Sequence, residues 1–234
     1  MVYMGSKRRI AKEILSIILA DRQPGQIVYD IFCGGANLTI HIPPPVVAVD
    51  VNKYLIALFD FAKNTPENLP KFIGKNLYYD IKKNKNKYPD WLVGYAGFLC
   101  SYMCKFFGGY ADITTTTGGG IVDFQTRQKQ SIIREIEYYR DIDFVCASYE
   151  NLNLSSGSIA YFDPPYKDTT TYRNDIDYDH FYTWLKLQKM KGIKIFISEY
   201  DMPFPFREVW RASISCHLSR EEKAQIKTEK LYTL

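Results

Sequence analysis

Two short apolar runs, Ile27 to Phe32 and Val46 to Val51, flank a glycine turn and lead into a helical stretch from about Asn52 to Lys63. Short runs with little polar alternation read as strands buried on both faces. Strands and helices in this rhythm require crossover connections, and therefore a mostly parallel sheet. The rhythm resumes with Phe144 to Ala147, the run Ser158 to Phe162, a helix expected over Tyr178 to Lys191, and a strand over Ile193 to Ser198. Ile10 to Ala20 carries apolar residues near helical period ahead of it all. Trp210 to Leu218 and Lys230 to Leu234 suit an antiparallel edge pair. The expected class is α/β, with a mixed but mostly parallel sheet.

Between Asn64 and Asp143 the rhythm stops. An apolar helical stretch runs from Trp91 to Phe107, and an amphipathic helix from about Arg127 to Tyr139. Between them, Thr114 to Gly120 is a threonine run followed by three glycines, which suits a flexible loop or hairpin tip. The expected organisation is a core made of 1–63 and 144–234, with 64–143 inserted as a mainly helical subdomain. Net charge is +4, but Lys71 to Glu135 alone carries ten basic and five acidic residues. Such a local excess is either a phosphate-binding footprint or a solvated helix face. Lys82, Lys83, Lys85 and Lys87 have the chemistry for phosphates only, whereas Gln125, Arg127 and Gln128 carry donors that can read base edges, with Lys129 beside them.

Hydrophobic residues make up 46% of the 234 positions, enough for a sizeable core. No apolar run is long enough to span a membrane, and the start lacks a secretory pattern. The expectation is a cytoplasmic protein. The five cysteines are odd in number and scattered, with Cys100 and Cys104 one helical turn apart. Together with three dispersed histidines they do not form a zinc-ligand pattern, so neither a metal nor a disulfide framework is expected.

The chemistry gathers at strand ends. Asp30-Ile31-Phe32-Cys33-Gly34-Gly35-Ala36-Asn37 is a strand running into a glycine pair, either a plain turn or one that lets the backbone approach a ligand. Asp50 closes the next strand, where it would cap the following helix or hold both hydroxyls of a ribose. Tyr3 to Lys7 is aromatic, small and basic, and Lys7 is either solvated or poised to pair with a carboxylate. Most telling is Asp163-Pro164-Pro165-Tyr166, directly after an apolar run. A carboxylate and a rigid backbone carbonyl can accept hydrogen bonds from a planar amine, and an aromatic can stack on the heterocycle that bears it. Tyr172, Arg173 and His180 follow, on a loop that would either help hold a nucleotide or be plain solvated chain.

In this order the motifs resemble those of the Dam-type (D12 class) DNA adenine methyltransferases: Tyr3 to Lys7, Asp30 to Ala36, Val49 to Asn52, Ala147 to Tyr149, Asp163 to Tyr166, and Glu229-Lys230-Leu231-Tyr232 as a closing strand. The resemblance implies a Rossmann-like methyltransferase fold with S-adenosylmethionine as cofactor. It also implies methyl transfer to the exocyclic amine of adenine in double-stranded DNA after base flipping. Tyr3 and Lys7 would meet the methionine part, Asp30, Phe32 and Gly34 would line the same pocket, Asp50 would hold the ribose, and Ser148 and Tyr149 would lie near the cofactor's adenine. Asp163 would serve the amine and touch the cofactor, beside Pro164, Pro165 and Tyr166. Segment 64–143 would read the target. A restriction endonuclease partner fits such a system, in a prokaryotic cell or a virus-infected host. The alternatives are an RNA adenine or protein glutamine methyltransferase, or a catalytically silent DNA-binding homologue. The turn departs from the family's common Gly-x-Gly, with Ala36 at the third position.

Overall fold

The computed structural model describes every residue except 2, 4, 116–117, 167–175 and 217–224. In chain order it contains α1 (Ala11–Ile18), β1 (Val28–Ile31), β2 (Val46–Asp50), α2 (Lys53–Asn64), α3 (Lys75–Lys83), α4 (Asp90–Gly94), β3 (Ile113–Thr115), β4 (Ile121–Asp123), α5 (Phe124–Tyr139), β5 (Ile142–Cys146), β6 (Ile159–Phe162), α6 (Tyr178–Met190), β7 (Lys194–Glu199), β8 (Arg207–Cys216) and β9 (Gln225–Thr233). Seven strands form one sheet in the order β5-β2-β1-β6-β7-β9-β8. The first five pair in parallel, and β9 and β8 close the edge antiparallel. No helix among the described residues is long and apolar enough to cross a membrane.

The strand period of two divides the core cleanly. On β6, Ile159 and Tyr161 join a buried cluster on one face, while Ala160 and Phe162 join a second cluster on the other. On β7, Phe196 takes the first face, and Ile195 and Ile197 take the second. Helices cover both faces, which is why these strands read as continuous apolar runs. Helix starts are locally encoded. Asn52 caps α2 by accepting from the backbone N–H groups of Tyr54 and Leu55, both at 3.2 Å, and Asp123 caps α5 by accepting from Thr126 N–H at 3.0 Å. Because Asn52 does the capping, Asp50 is left for other partners.

Segment 64–143 does not stand apart as a globule. Its Tyr78, Tyr95, Ile132 and Tyr139 belong to the same buried cluster as Val28, Val46 and Phe59 of the sheet and α2. The rings of Phe59 and Phe144 stack at 5.0 Å, with Tyr139 edge-on to both. The helical reading of Trp91 to Phe107 is corrected. α4 is followed by a single wide turn over Tyr95–Leu99, and the chain then bends back, with Met103, Cys104 and Phe107 at left-handed φ. Backbone bonds from Tyr102 N–H to Gly109 and from Ala111 N–H to Cys100 close this bend. Burial of Val93 to Cys100, rather than helical periodicity, explains the middle of the apolar run, while Tyr102 and Met103 are exposed. Cys100 and Cys104 therefore do not share a helix face. The glycine-rich stretch is the tip of the β3–β4 hairpin, with Ile121 78% exposed.

Candidate active site

The sheet brings three aspartates to the carboxyl ends of its central strands. Asp30 lies in β1, Asp50 is the last residue of β2, and Asp163 follows β6, its N–H donating to Ile31 O at 3.2 Å. Between β1 and β2 the chain turns through Phe32 and Gly34 at positive φ (67° and 48°), with Ala36 also left-handed at 53°. Gly34 N–H donates to Asp50 Oδ2 at 3.0 Å, and Asn52 N–H donates to Oδ1 at 2.8 Å. Asp50 thus fastens the glycine turn. Tyr3 lies directly on that turn. A β-carbon at Gly34 would come within 2.6 Å of its ring, and one at Gly35 within 2.5 Å of its Cβ. Both positions therefore exclude larger residues.

Lys7 is only 8% exposed, and its ammonium does not face solvent. It lies 3.1 Å from Asp163 Oδ1 and 3.3 Å from Glu229 Oε2, and it also donates to the Tyr166 hydroxyl. That hydroxyl in turn donates to Glu229 Oε2 at 2.6 Å. The Tyr166 ring meets the Tyr200 ring at 4.5 Å, close to perpendicular. The Tyr178 hydroxyl donates to Pro165 O at 2.5 Å and stands 3.2 Å from Glu199, whose other oxygen accepts from Tyr200 N–H. Asp163 to Tyr166 is therefore held from the N-terminal segment, from α6 and from β9.

Electrostatics follow from burial. Desolvation raises Asp163 and Asp50 above the ordinary carboxylate range, with the Lys7 ammonium opposing it at Asp163 and backbone N–H groups opposing it at Asp50. Burial pulls Lys7 down, but the Asp163 and Glu229 carboxylates together outweigh it and leave it raised. Asp30 is pushed from 3.8 to about 7, chiefly by burial, although the Thr39 hydroxyl donates to it. An acid raised on folding binds more protons folded than unfolded. Its favourable contribution is present below about pH 3.8 and is lost as pH rises to about 7. The denaturation midpoint should fall across that window, and Asp30→Asn should flatten the fall. An unchanged profile in the variant would show that Asp30 does not titrate there.

The other expected positions divide. Phe32 packs beside Tyr149 and Phe181, and Tyr149 is buried among Phe181 and Trp184, its hydroxyl 3.3 Å from His180 Nδ1. Ser148 opens the short turn after β5, beside the end of β2 through the Ala147 N–H bond to Asp50 O. On α5, Arg127 is exposed and Gln128 half-buried; Lys83 is exposed, Lys82 donates to Phe107 O, and Lys129 donates to Leu69 O. Gln125 requires correction. It is 1% exposed, and its amide bonds to both backbone groups of Ile73 and to Ala111 O, so no donor is left for a base edge. α5 begins at Phe124, earlier than its periodicity suggests, and turns Gln125 to the core. Gln125→Ala should cost about 1–3 kcal/mol of stability in urea unfolding. A variant of unchanged stability would return Gln125 to the surface candidates. Met4, Thr116, Thr117, Tyr172 and Arg173 lie outside the described residues.

Two polar residues escaped the sequence reading as site members. Glu229 was legible only as part of a closing strand. Asn37 is 4% exposed at the end of the glycine turn, and neither end of its amide has a partner among the described residues. An orphaned buried amide is costly unless something completes it. Its signal was a polar side chain where the turn re-enters apolar sequence.

Compared with known proteins, the sequence profile of D12 class N6 adenine-specific DNA methyltransferases matches residues 3–210. The chain belongs to this family. The DNA adenine methylases of two Vibrio cholerae O1 strains are each 28% identical to it over 180 residues, covering 65% of this chain. The match covers 64% of each relative, so the chain spans just under two thirds of their length. Among solved structures, a provisionally assigned RNA methyltransferase from Pyrococcus horikoshii is similar at TM-score 0.46 and 12% identity, covering 99% of this chain and 85% of that one. A conserved hypothetical protein from Streptococcus pyogenes follows at TM-score 0.37 and 12% identity, covering 93% of each. Likeness at this level carries no functional weight. For the family member described here, the site rests on its own geometry.

Proposed function

We propose that the chain transfers a methyl group from S-adenosylmethionine to the exocyclic amine of adenine in double-stranded DNA. The observation that carries this reading is the convergence of Asp163, Pro164 and Tyr166, one strand away from a glycine turn fastened by Asp50. The residues fit the cofactor. Asp50 ends its strand where a ribose diol would be bound, the glycines keep the turn free of side chains, and the orphaned Asn37 amide can pair with a polar methionine group. The acids Asp50, Asp163 and Glu229 outnumber Lys7 around the site, which suits a cationic ligand.

When bound, the cofactor supplies a methyl group already activated on a positively charged sulfur. The chain's own task is to prepare the amine, whose lone pair is delocalised into the adenine ring. Hydrogen bonds from the amine to the Asp163 carboxylate and the Pro164 carbonyl draw density back onto nitrogen and orient it. As the new N–C bond formed at the expense of the sulfur–methyl bond, the amine would become acidic and its proton would leave along the hydrogen bond to Asp163. Removing the base from the duplex costs a few kcal/mol. Stacking on Tyr166 would offset about 1–3 kcal/mol of that.

Segments 1–63 and 144–234 are read as the catalytic part and 64–143 as the target reader. Exposed Arg127 and Lys83 and the protruding β3–β4 hairpin support this division. DNA as substrate implies work inside a prokaryotic cell or a virus-infected host.

The test is to incubate the protein with S-adenosylmethionine and unmethylated genomic DNA, digest to nucleosides and analyse by mass spectrometry. Methyl on deoxyadenosine is the expected result. No methylated deoxynucleoside, with cofactor binding intact by calorimetry, would overturn DNA as the substrate.

A further inference from the structure

We infer that Glu229 is a positioning residue of this site, one that draws the Lys7 ammonium away from Asp163 and fixes the Tyr166 ring. The inference rests on the reading above and deepens it. Lys7 lies almost equally close to two carboxylates, 3.1 Å from Asp163 and 3.3 Å from Glu229. With Asp163 as its sole partner, a buried ammonium would form a closed ion pair. The carboxylate that must accept the target amine would then be occupied by Lys7. Sharing changes this. Two carboxylates around one ammonium leave one negative charge in excess, and Lys7 can remain with Glu229 and the Tyr166 hydroxyl when the amine arrives. Glu229 is itself well placed to stay put, because β9 pairs with β8 at Ala212 and with β7 from Lys230 onward.

The second contact does separate work. The Tyr166 hydroxyl donates to the same oxygen of Glu229 at 2.6 Å, while the Tyr200 ring packs close to perpendicular to the Tyr166 ring. That anchor fixes where the ring lies, and its plane is held by the Tyr200 ring and by the Lys7 ammonium 4.5 Å over one face, as a stacking platform for a flipped base requires. Among the described residues, the titratable groups facing Glu229 and Asp163 are Lys7 from the N-terminal segment, Tyr161 and Tyr166 from β6 and the turn after it, and Asp30 from β1. Removing the Glu229 charge removes a repulsion at Asp163 and leaves Lys7 to it alone. Both changes favour the ionised form of Asp163.

Glu229→Gln and Glu229→Ala decide the matter, with carbon-13 NMR titration of aspartate-labelled protein, the Asp163 signal being assigned by its loss in Asp163→Asn. In Glu229→Gln the Asp163 midpoint should move to lower pH. A midpoint that stays or rises overturns the inference, and this readout needs no methyl transfer. For the wild type that does methylate DNA, the acid limb of the single-turnover rate should move the same way, with the rate down roughly 10- to 100-fold. Calorimetric affinity for S-adenosylmethionine should change far less. Glu229→Gln keeps an acceptor for Tyr166 and should retain more rate than Glu229→Ala. That difference should shrink in a Tyr166→Phe background, leaving only what the Lys7 contact contributes, and an undiminished difference there would overturn the ring-fixing role. A wild type without activity would end the DNA reading, yet the titration would still report whether Glu229 acts on Asp163.

Discussion

Asp163→Ala lowers single-turnover methylation by roughly 10³-fold or more while the protein remains folded. The loss is large because, among the described residues, the other carboxylates of the site are already committed elsewhere. Glu229 is committed to Lys7 and to Tyr166. Asp30 is buried within β1 and accepts from Thr39. The fold survives because deleting Asp163 does not strand the ammonium, which keeps Glu229 and the Tyr166 hydroxyl as partners. Removing the sole partner of a buried charge would instead cost several kcal/mol. Rapid-quench assays on matched DNA, alongside a thermal melt, measure both parts. Activity equal to wild type would remove Asp163 from the catalytic role, and an unfolded variant would show that Glu229 does not suffice for Lys7.

Asp50→Ala weakens binding of S-adenosylmethionine by about 10- to 100-fold, with a smaller effect on the rate once the site is saturated. Two losses combine. The carboxylate would no longer accept from the ribose hydroxyls, and the Gly34 and Asn52 N–H groups would lose their acceptor. The glycine turn, held in left-handed conformations at Phe32 and Gly34, would then loosen. Asp50→Asn keeps one acceptor oxygen and should fall between the two. Calorimetry on the cofactor alone measures this without DNA, and unchanged affinity in Asp50→Ala would remove its ribose role.

Much of the architecture was legible locally. The runs Ile27 to Phe32 and Val46 to Val51 carry β1 and β2, and α2 starts at its Asn52 cap as expected, whereas α5 starts at Phe124 behind an Asp123 cap, three positions before the expected Arg127. Burial on both faces leaves a signature in composition, and caps act within three residues. The helix expected over Trp91 to Phe107 ends at Leu99 instead. Close packing shapes this stretch: a β-carbon at Gly94 would meet Tyr54 O at 2.1 Å, and one at Gly97 would meet the Phe106 ring of the chain bending back. An apolar run alone does not say what will press against it.

By itself, then, the sequence determined the parallel sheet, the glycine turn and the placement of Asp30, Asp50 and Asp163 at strand ends, because strand period and turn chemistry are short-range. Only the tertiary structure decided what those carboxylates face. Lys7 and Tyr166 are 159 positions apart, and Tyr166 and Glu229 are 63 apart. Sheet order brings them together, and no local pattern records it. The same holds for Gln125, whose polarity suggests a reader of bases and whose burial against Ile73 makes it a support. Charge and hydrogen-bonding capacity are properties of a residue, but whether they are spent inside or offered outside depends on packing between elements distant in the chain.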